Sequence, residues 1–278
     1  MGSIAILYIC TGVYKKFWQG FFESYEQNFL PNTRKEYYIF TDAKNLKYQD
    51  CDRVHIYKRK PQGWPYDTLF RFDMFWDTRE DWKHCDYAVF INANFRCVTK
   101  VLEEEFLPRE KRLLVASHAA SFGWNPDKMD YCRDPQSLAY IPYGQGQFYV
   151  MGGLNGGKTP AYLEMIKTLM ENIRDDYNRG VIAVRHDESH INHYILGRED
   201  YKLLPPSYGC PEEKEFPFKP RMLLLDKSKY FDTEVFKAEG IGGKILVYLL
   251  RIKRKIRIRV RIKNMKERLK KLINRGEA

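Results

Sequence analysis

The stretch YAVFINANFRCV, residues 87–98, decides how the fold of this chain is interpreted. Its apolar first half predicts a buried strand, and that strand ends abruptly in Asn92, Ala93 and Asn94. On an extended chain, two side chains that are two positions apart lie on the same face. Because ligands bind at the carboxyl ends of the strands in an open α/β sheet, Asn92 and Asn94 are candidate binding residues.

The segments on both sides of this strand alternate between strand and helix patterns. Further strands are predicted at Ile4–Cys10, Glu36–Asp42, Arg53–Tyr57 and Met222–Leu225. Helices are predicted at Phe17–Phe29, Thr68–Glu80, Pro160–Asp176 and from the start of HDESHINHYIL at residue 186. This alternation predicts the α/β class with a doubly wound sheet. The segment 144–157, GQGQFYVMGGLNGG, is either a tight turn or backbone that approaches a ligand closely.

Basic residues are concentrated at the C-terminus. The 278-residue chain has 47 Lys and Arg, 36 Asp and Glu, and a net charge of +11. Residues 251–278 hold 13 basic and 2 acidic residues, and subtracting these from the totals leaves 34 of each in residues 1–250. We therefore predict a globular domain over 1–235, for which we expect no nucleic-acid partner, and a basic tail over 236–278.

The tail interleaves its cations with Ile, Val and Leu from residue 244 onward. This pattern favours a basic amphipathic helix that attaches to an anionic membrane surface. Non-specific binding to nucleic acid or to an acidic partner and a solvated, partly disordered tail are the alternatives.

The cysteines and the N-terminus bear on the compartment. No two of the six cysteines have CxxC spacing, which is typical of reduced thiols in a cytoplasmic protein. The N-terminus lacks the basic region of a signal peptide, and no apolar run reaches the roughly 18 residues of a membrane-spanning helix. We expect a cytoplasmic protein that is peripheral at the inner membrane face.

The segment HDESHINHY raises two alternatives. His186, His190 and His193 share one helical face, as zinc ligands do, and a zinc hydrolase is one interpretation. A zincin, however, needs Glu directly after its first His, and here Glu188 stands two positions after His186. Asp187 and Glu188, at the start of the predicted helix, are either partners of the helix dipole or functional carboxylates.

Several stretches together resemble glycosyltransferase family six, which includes the mammalian histo-blood-group A and B transferases, α-1,3-galactosyltransferase and bacterial homologues. They are YYIFTD, GW…LFRFDMF, FINANF, PQSLAYIPYGQGQFYVMGGLNGG and HDESHINHYIL, in the family's order over roughly residues 4–230. The resemblance is closest to bacterial members, which have Asn-x-Asn where mammalian members have Asp-x-Asp. It implies a GT-A fold, in which a Rossmann-like nucleotide-binding sheet merges with an acceptor half.

The resemblance also implies a reaction. The enzyme would be a retaining hexosyltransferase that moves N-acetylgalactosamine or galactose from its UDP donor. The new bond would be α-1,3 to a galactose of an oligosaccharide, which often carries α-1,2-fucose. In this view the domain over 1–235 is the catalytic domain.

Individual residues take roles by this resemblance. Glu188 matches the catalytic carboxylate, and it also faces the acceptor together with His118 and Arg185. Arg185 departs from the family pattern because it replaces a tryptophan, and Ala-Ala rather than Pro-Gly follows His118. In the donor site, the loop after the first strand would hold uridine through Ile9, Cys10, Thr11 and Tyr14. The segment that selects the donor sugar would be Met151, Gly152 and Gly153, and Lys227 and Lys229 would lie over the diphosphate. The other donor-site residues would be Arg71, Asn92, Ala93, Asn94 and Asp187.

The two asparagines predict a site that works without metal. An amide is neutral and can donate hydrogen bonds to phosphate, whereas Mg²⁺ favours carboxylates. Cations such as Lys227 and Lys229 would then stabilise the leaving UDP. Small residues at Gly152 and Gly153 leave room for an N-acetyl group, which favours UDP-GalNAc over UDP-Gal.

The main alternative to an enzyme is a degenerate transferase that only binds a glycan or a nucleotide-sugar. Loss of both aspartates is compatible with that interpretation. The presence of Glu188, Asp187, Arg71 and His118 argues against it, because a pure binding protein has no need of all four.

Overall fold

The computed structural model describes residues 2–234. Residues 2–61 and 67–230 form one compact unit, and residues 62–66 and 231–234 belong to a second. The predicted basic tail, 236–278, lies outside the described residues, so the division into domain and tail stays a prediction. Within 2–234, no helix is both long enough and apolar enough to cross a membrane.

A seven-stranded mixed sheet forms the centre of the large unit. Its strands, in chain order, are β1 (Ser3–Ile9), β2 (Arg34–Thr41), β3 (Val54–Lys58), β4 (Tyr87–Ile91), β6 (Leu113–Ser117), β7 (Val150–Lys158) and β8 (Tyr201–Leu204). The spatial order is β3-β2-β1-β4-β7-β6-β8. The first four are parallel, while β7 runs antiparallel to both β4 and β6. The expected α/β class with a Rossmann-like half is confirmed, but the other half is mixed rather than doubly wound.

The described helices cover this sheet or connect its strands. They are α1 (Trp18–Asn28), α2 (Tyr66–Leu69), α3 (Arg71–Asp77), α4 (Arg79–Trp82), α5 (Glu103–Phe106), α6 (Thr159–Asn178) and α7 (Asp187–Ile195). The prediction of one helix over Thr68–Glu80 is wrong, because the backbone leaves helical geometry at Phe70 and Thr78. The Thr78 hydroxyl donates to the Met74 carbonyl 3.1 Å away, a local bond that competes with continued helix.

The glycine-rich segment at 144–157 is mostly strand. Its second half forms β7, which lies between β4 and β6 in the middle of the sheet. A Cβ at Gly156 would collide with the Ala88 carbonyl oxygen of β4, and one at Gly157 would lie 2.5 Å from the Arg112 carbonyl oxygen. The glycines therefore let two neighbouring segments approach β7 closely, and the prediction of a tight turn is wrong for this part.

Aromatic side chains of α1 fix the orientation of β1. Trp18 and Phe21 lie fully buried against Tyr8, with ring centroids 5.2 and 4.4 Å from it. The Tyr8 hydroxyl in turn donates to the Ala93 carbonyl at 3.1 Å. The core thus connects the end of β4 to the strand beside it.

A smaller three-stranded sheet completes the unit. It consists of β5 (Phe95–Cys97), β10 (Met222–Leu224) and β9 (Cys210–Pro211), in the order β5-β10-β9. Because β5 directly follows the Asn-Ala-Asn segment, this pairing brings the chain around 225–230 to the end of β4.

Candidate active site

The candidate residues gather at one edge of the large sheet. The carboxyl ends of β1 and β4 lie there, and so does the first part of β7, because β7 is antiparallel to β4. The backbone N–H of Asn92 donates to the Gly153 carbonyl at 2.9 Å. The segment 92–94 and the segment 151–153 are therefore neighbours at the edge where ligands bind in α/β folds.

Glu188 is a half-buried carboxylate with a fixed orientation. Its Oε1 accepts a hydrogen bond from the Tyr149 hydroxyl at 2.8 Å, and its Oε2 accepts one from the Gly152 backbone N–H at 2.7 Å. Burial and the adjacent Glu188 charge raise the pKa of Tyr149, which therefore stays a donor at neutral pH. The two donors hold the carboxylate in one position, and each oxygen keeps a further lone pair.

The start of α7 places Asp187 and Glu188 side by side in the first helical turn. His186, just before it, has φ 52° and ψ −127°. Glycine favours this conformation, and a side chain there costs about 1–3 kcal/mol. The reversal turns the chain sharply into the helix, whose N-terminal dipole stabilises both carboxylates.

Asp187 and Arg71 form a buried ion pair beside Glu188. Both side chains are almost inaccessible to solvent, and Arg71 Nη1 also donates to the Gly152 carbonyl at 3.2 Å. Burial raises the pKa of Asp187, an effect that the Arg71 guanidinium opposes. Among residues 2–234, Asp187 Oδ1 and Arg71 Nε have no hydrogen-bond partner, although both atoms are buried.

Gly152 is enclosed by the same three side chains. A Cβ at this position would lie 3.0 Å from Glu188 Cβ and 3.2 Å from both Arg71 Nη2 and Asp187 Oδ2. At Gly153, a Cβ would lie 3.2 Å from the Phe95 ring. The interpretation that these glycines open space for an N-acetyl group is not supported, because their missing side chains let the cluster close. Met151, whose side chain is buried, packs against Gly209.

The two asparagines differ in their surroundings. Asn94 is buried, and its Nδ2 donates to the Leu225 carbonyl at 2.9 Å while its Oδ1 has no partner within the described chain. Asn92 is more exposed, and its Oδ1 accepts from the Ala93 N–H at 3.1 Å. Neither supplies a carboxylate, and residues 2–234 contain no group of three His, Cys, Asp or Glu arranged for a metal. The two asparagines therefore bring no negative charge to a cation, whereas Mg²⁺ favours carboxylates.

The loop after β1 forms another part of the same edge. The Thr41 hydroxyl donates to the Cys10 carbonyl at 2.9 Å, and the Gly12 N–H donates to Asp42 at 2.7 Å. Burial raises the pKa of the Cys10 thiol to about 12, so this cysteine is a neutral packing residue. Of the four predicted uridine residues, Cys10 and Thr11 are buried, whereas Ile9 and Tyr14 are half-exposed.

The two predicted clamp lysines point to different partners. Lys227 Nζ lies 5.1 Å from the centre of the Tyr14 ring, at the loop that is expected to hold uridine. Lys229 forms an ion pair with Glu212, although its side chain remains 59% exposed. The structure therefore brings Lys227, but not Lys229, to the β1 loop.

The acceptor candidates lie on the other side of Glu188. The His118 ring packs edge-on against the Tyr149 ring, with centroids 5.8 Å apart, and its buried Nδ1 has no partner within 2–234. Arg185 Nε donates to Asp130 at 3.1 Å, and both side chains are about half exposed. Tyr149 and the exposed Trp124 both line a cleft of about 500 Å³. An aromatic wall suits a sugar face.

The histidines of α7 do not form a metal site. His190 is buried with its Nε2 3.5 Å from Asp176, and His193 Nδ1 is 2.8 Å from the Tyr140 carbonyl. The zinc-hydrolase alternative fails because each of these rings packs against a different part of the chain.

Three residues that position the site escaped the sequence analysis. Tyr149 orients Glu188, while Asn155 Nδ2 donates to the Gly152 carbonyl at 2.9 Å. Asn192 Nδ2 donates to the Glu188 carbonyl at 2.8 Å and to the Val150 carbonyl at 2.9 Å. Only Asn192 had a usable signal, since four residues after Glu188 it lies on the same helical face.

Comparison with known proteins identifies the family. The model of glycosyltransferase family 6 matches residues 3–232. This chain belongs to glycosyltransferase family 6. It is 29% identical over 226 residues to the O-antigen biosynthesis glycosyltransferase WbnI of Escherichia coli, which covers 81% of this chain and 95% of that protein. Family membership confirms the expected GT-A-like fold and the class of hexosyltransferase, with a nucleotide-sugar donor and a glycan acceptor.

Two vertebrate members of family 6 are longer than this chain. The rat histo-blood group ABO system transferase 2 is 28% identical over 217 residues, which cover 74% of this chain and 63% of the rat protein. The chicken globoside alpha-1,3-N-acetylgalactosaminyltransferase 1 is 27% identical over 239 residues, which cover 81% and 68% respectively. The chain thus spans about two thirds of these relatives.

Proposed function

We propose that this family 6 glycosyltransferase is a retaining enzyme that transfers GalNAc, or alternatively galactose, from a UDP-sugar in α-1,3 linkage to a galactose. The acceptor galactose, part of an oligosaccharide, carries α-1,2-fucose. The observation that carries the proposal is Glu188, a half-buried carboxylate whose two oxygens are held by Tyr149 and Gly152. A fixed carboxylate next to a buried Arg–Asp pair suits stabilisation of a sugar cation.

In the reaction, the bond between the anomeric carbon and the UDP phosphate oxygen breaks, and a bond to O3 of the acceptor forms. Retention allows two routes. Glu188 can attack the anomeric carbon as UDP leaves, by analogy with retaining hydrolases. Acceptor O3 then displaces Glu188, and its proton passes to the UDP phosphate. Alternatively, Glu188 stabilises the oxocarbenium-like centre while the acceptor attacks from the side of the leaving group. In that route the acceptor proton passes to the leaving phosphate oxygen.

We propose that the reaction needs no metal. Support comes from the side chains of Asn92 and Asn94, which bring no negative charge to the diphosphate. Lys227, beside Tyr14, lies where a cation can compensate the charge of leaving UDP. Asp187 and Arg71 would bind hydroxyl groups of the donor sugar through their unpartnered atoms.

We propose UDP-GalNAc as the preferred donor and UDP-Gal as the alternative. The chicken relative, named globoside alpha-1,3-N-acetylgalactosaminyltransferase 1, supports this order. The values of kcat/KM for the two donors with one acceptor test it, and a clear preference for UDP-Gal would reverse the order.

The substitution Glu188→Gln tests the proposed role of this carboxylate. The amide keeps the size of the side chain but removes its charge, so we expect kcat for transfer to fall about 100-fold or more. Glu104→Gln is the matched control, because Glu104 is exposed and pairs with Arg109 on the surface. A Glu188→Gln enzyme with near wild-type kcat would contradict the assignment.

A degenerate, binding-only protein is the second candidate. Its support is the loss of both aspartates at positions 92 and 94. Release of UDP from UDP-GalNAc in the absence of acceptor separates the two candidates, since a protein that only binds releases none.

We propose a cytoplasmic protein that attaches peripherally to the inner membrane face through residues 244–278. The support is the charge of the sequence alone, because this segment lies outside the described residues. Flotation with anionic liposomes, comparing the full chain with one that ends at residue 243, tests the attachment. Equal flotation of the two would exclude it.

A further inference from the structure

A second cleft shares Gln147 and Phe148 with the 500 Å³ cleft beside Tyr149. It has a volume of about 620 Å³, which lies within the range of small-ligand sites. The segment 144–148 forms one side and the segment 195–201 forms the other, with Tyr131 and Asn192 also in its lining. None of the residues predicted from the sequence to bind donor or acceptor lines this cleft.

The wall formed by segment 144–148 is built around Tyr131. The Tyr131 hydroxyl donates to the Phe148 carbonyl at 2.6 Å. Gly146 has φ 97°, and a Cβ there would lie 2.6–2.8 Å from atoms of the Tyr131 ring. Only glycine allows this loop to rest on the ring, so the wall is a specific packing arrangement.

The lining has the chemistry of a carbohydrate site. Tyr131, Phe148 and Tyr201 supply aromatic surface, and the Phe148 and Tyr201 rings meet edge-on with centroids 6.0 Å apart. Gln145 supplies an exposed amide that can donate to and accept from hydroxyl groups. Rings with neutral hydrogen-bonding groups suit a neutral polyol.

The charges of the cleft disfavour an anionic ligand such as a nucleotide. Arg198 is neutralised by Asp200, with Nε–Oδ1 and Nη2–Oδ2 distances of 2.9 and 2.8 Å. Glu199 adds an exposed carboxylate, which accepts hydrogen bonds from sugar hydroxyls but repels phosphate. The ligand class that remains is a neutral saccharide.

The cleft adjoins the acceptor side of the active site. Gln147 and Phe148 line both this cleft and the 500 Å³ cleft beside Tyr149. Tyr131 contacts Tyr149, with ring centroids 5.5 Å apart. A glycan chain that leaves the 500 Å³ cleft can therefore continue over Gln147 and Phe148 into the 620 Å³ cleft.

We propose that the 620 Å³ cleft binds the inner sugars of a longer oligosaccharide acceptor, and we call it the inner-sugar cleft. This inference rests on the proposed function, because it assumes that the terminal galactose reacts at Glu188. It goes further in naming the acceptor as an extended chain with at least one additional binding site for a neutral saccharide.

The test compares two acceptors that share their reactive end. They are the H type 1 trisaccharide and the H type 1 pentasaccharide, which carries two further sugars at its inner end. The double variant Gln145→Ala/Glu199→Ala removes two exposed side chains that line only the inner-sugar cleft. Gln19→Ala, an exposed position on α1, is the control variant.

The wild-type enzyme should have a higher kcat/KM for the pentasaccharide than for the trisaccharide. The double variant should lose about five- to tenfold in kcat/KM for the pentasaccharide, as expected for one or two hydrogen bonds. Its value for the trisaccharide and the values of the control variant should not change. Equal wild-type values for the two acceptors, or an equal loss for both in the double variant, would overturn the proposal.

A measurement of binding separates this proposal from the proposed function. Saturation-transfer NMR with the pentasaccharide, without donor, should show contacts to its inner sugars in the wild-type protein and their loss in the double variant. That result supports the inner-sugar cleft even if no product forms, in which case the proposed reaction has failed. Absence of inner-sugar contacts in the wild type overturns the proposal.

Discussion

Tyr149 links the two halves of the active site. Its hydroxyl donates to Glu188, and its ring packs against His118, on the acceptor side, and against Tyr131. Only the hydroxyl reaches the carboxylate. Removal of the hydroxyl alone should therefore lower the activity of the enzyme more than its stability.

The substitution Tyr149→Phe removes that hydroxyl and keeps the ring. A hydrogen bond to a charged group contributes about 1.5–3 kcal/mol, so we expect kcat for transfer to fall about 10- to 100-fold. The midpoint of thermal unfolding should change little. Tyr57→Phe is the matched control, because its hydroxyl donates to the Asp81 carboxylate at 2.6 Å outside the site. An unchanged kcat in Tyr149→Phe would show that the hydroxyl does not position Glu188.

At the scale of residues, sequence patterns predicted which residues lie close together but not which hydrogen bonds they form. Asn92 and Gly153 do meet at the sheet edge, yet spacing could not reveal that the Asn94 amide binds the Leu225 carbonyl. That bond depends on the pairing of β10 with β5, which joins residues more than 120 positions apart. Similarly, the space at Gly152 is set by Arg71 and by residues of α7, which no local pattern shows.

At the scale of elements, α7 carries Glu188 and is anchored by a buried polar cluster. Asp176, at the end of α6, accepts from the Ser137 hydroxyl at 2.6 Å and from the Leu138 N–H at 2.9 Å. His190 of α7 lies beside it. The cluster holds α6, α7 and the segment 134–140 together.

Burial lowers the pKa of His190 to about 4, from 6.5, although Asp176 opposes the shift. The unfolded chain therefore takes up a proton near pH 6.5 that the folded chain resists. Above pH 6.5 this effect does not lower the free energy of unfolding. As the pH falls towards 4, it lowers the free energy of unfolding by up to about 3 kcal/mol. The His193 ring also acts on His190 and adds to the lowering of its pKa.

The variant His190→Gln should have a flatter dependence of stability on pH, because its side chain does not titrate. Urea unfolding of both proteins at several pH values from neutral to about 4.5 measures the difference. The wild-type free energy of unfolding should approach that of the variant as the pH falls. Parallel curves over this range would show that another group causes the acid sensitivity.

Element boundaries followed from the sequence in the parallel half of the sheet, β1 to β4, whereas the buried strand β6 was not predicted. The strand predicted at 87–91 has the observed bounds, and β1, β2 and β3 differ from prediction by one or two residues. β7 was not predicted because glycines replace its apolar side chains. β8 was not predicted because prolines follow this short edge strand directly. Pairing with neighbours, rather than local propensity, makes these segments strands.

At the scale of the whole molecule, we propose that one sheet edge serves the two substrates. The parallel half presents the β1 loop and the end of β4, which we assign to the nucleotide. The antiparallel β7 adds Gly152 and leads back to Tyr149 and the acceptor clefts. The candidate catalytic carboxylate, Glu188, therefore lies where the two halves of the sheet join, which is the arrangement that a transfer between two bound substrates requires.

Transfer in the absence of divalent metal tests this account most directly. The protein is incubated with UDP-GalNAc and 2′-fucosyllactose in excess EDTA, and the products are examined by mass spectrometry. The account predicts a product that has gained one N-acetylhexosamine, in a yield that added Mn²⁺ does not raise. Product that forms only with Mn²⁺ would contradict the metal-free site that Asn92 and Asn94 are proposed to mark.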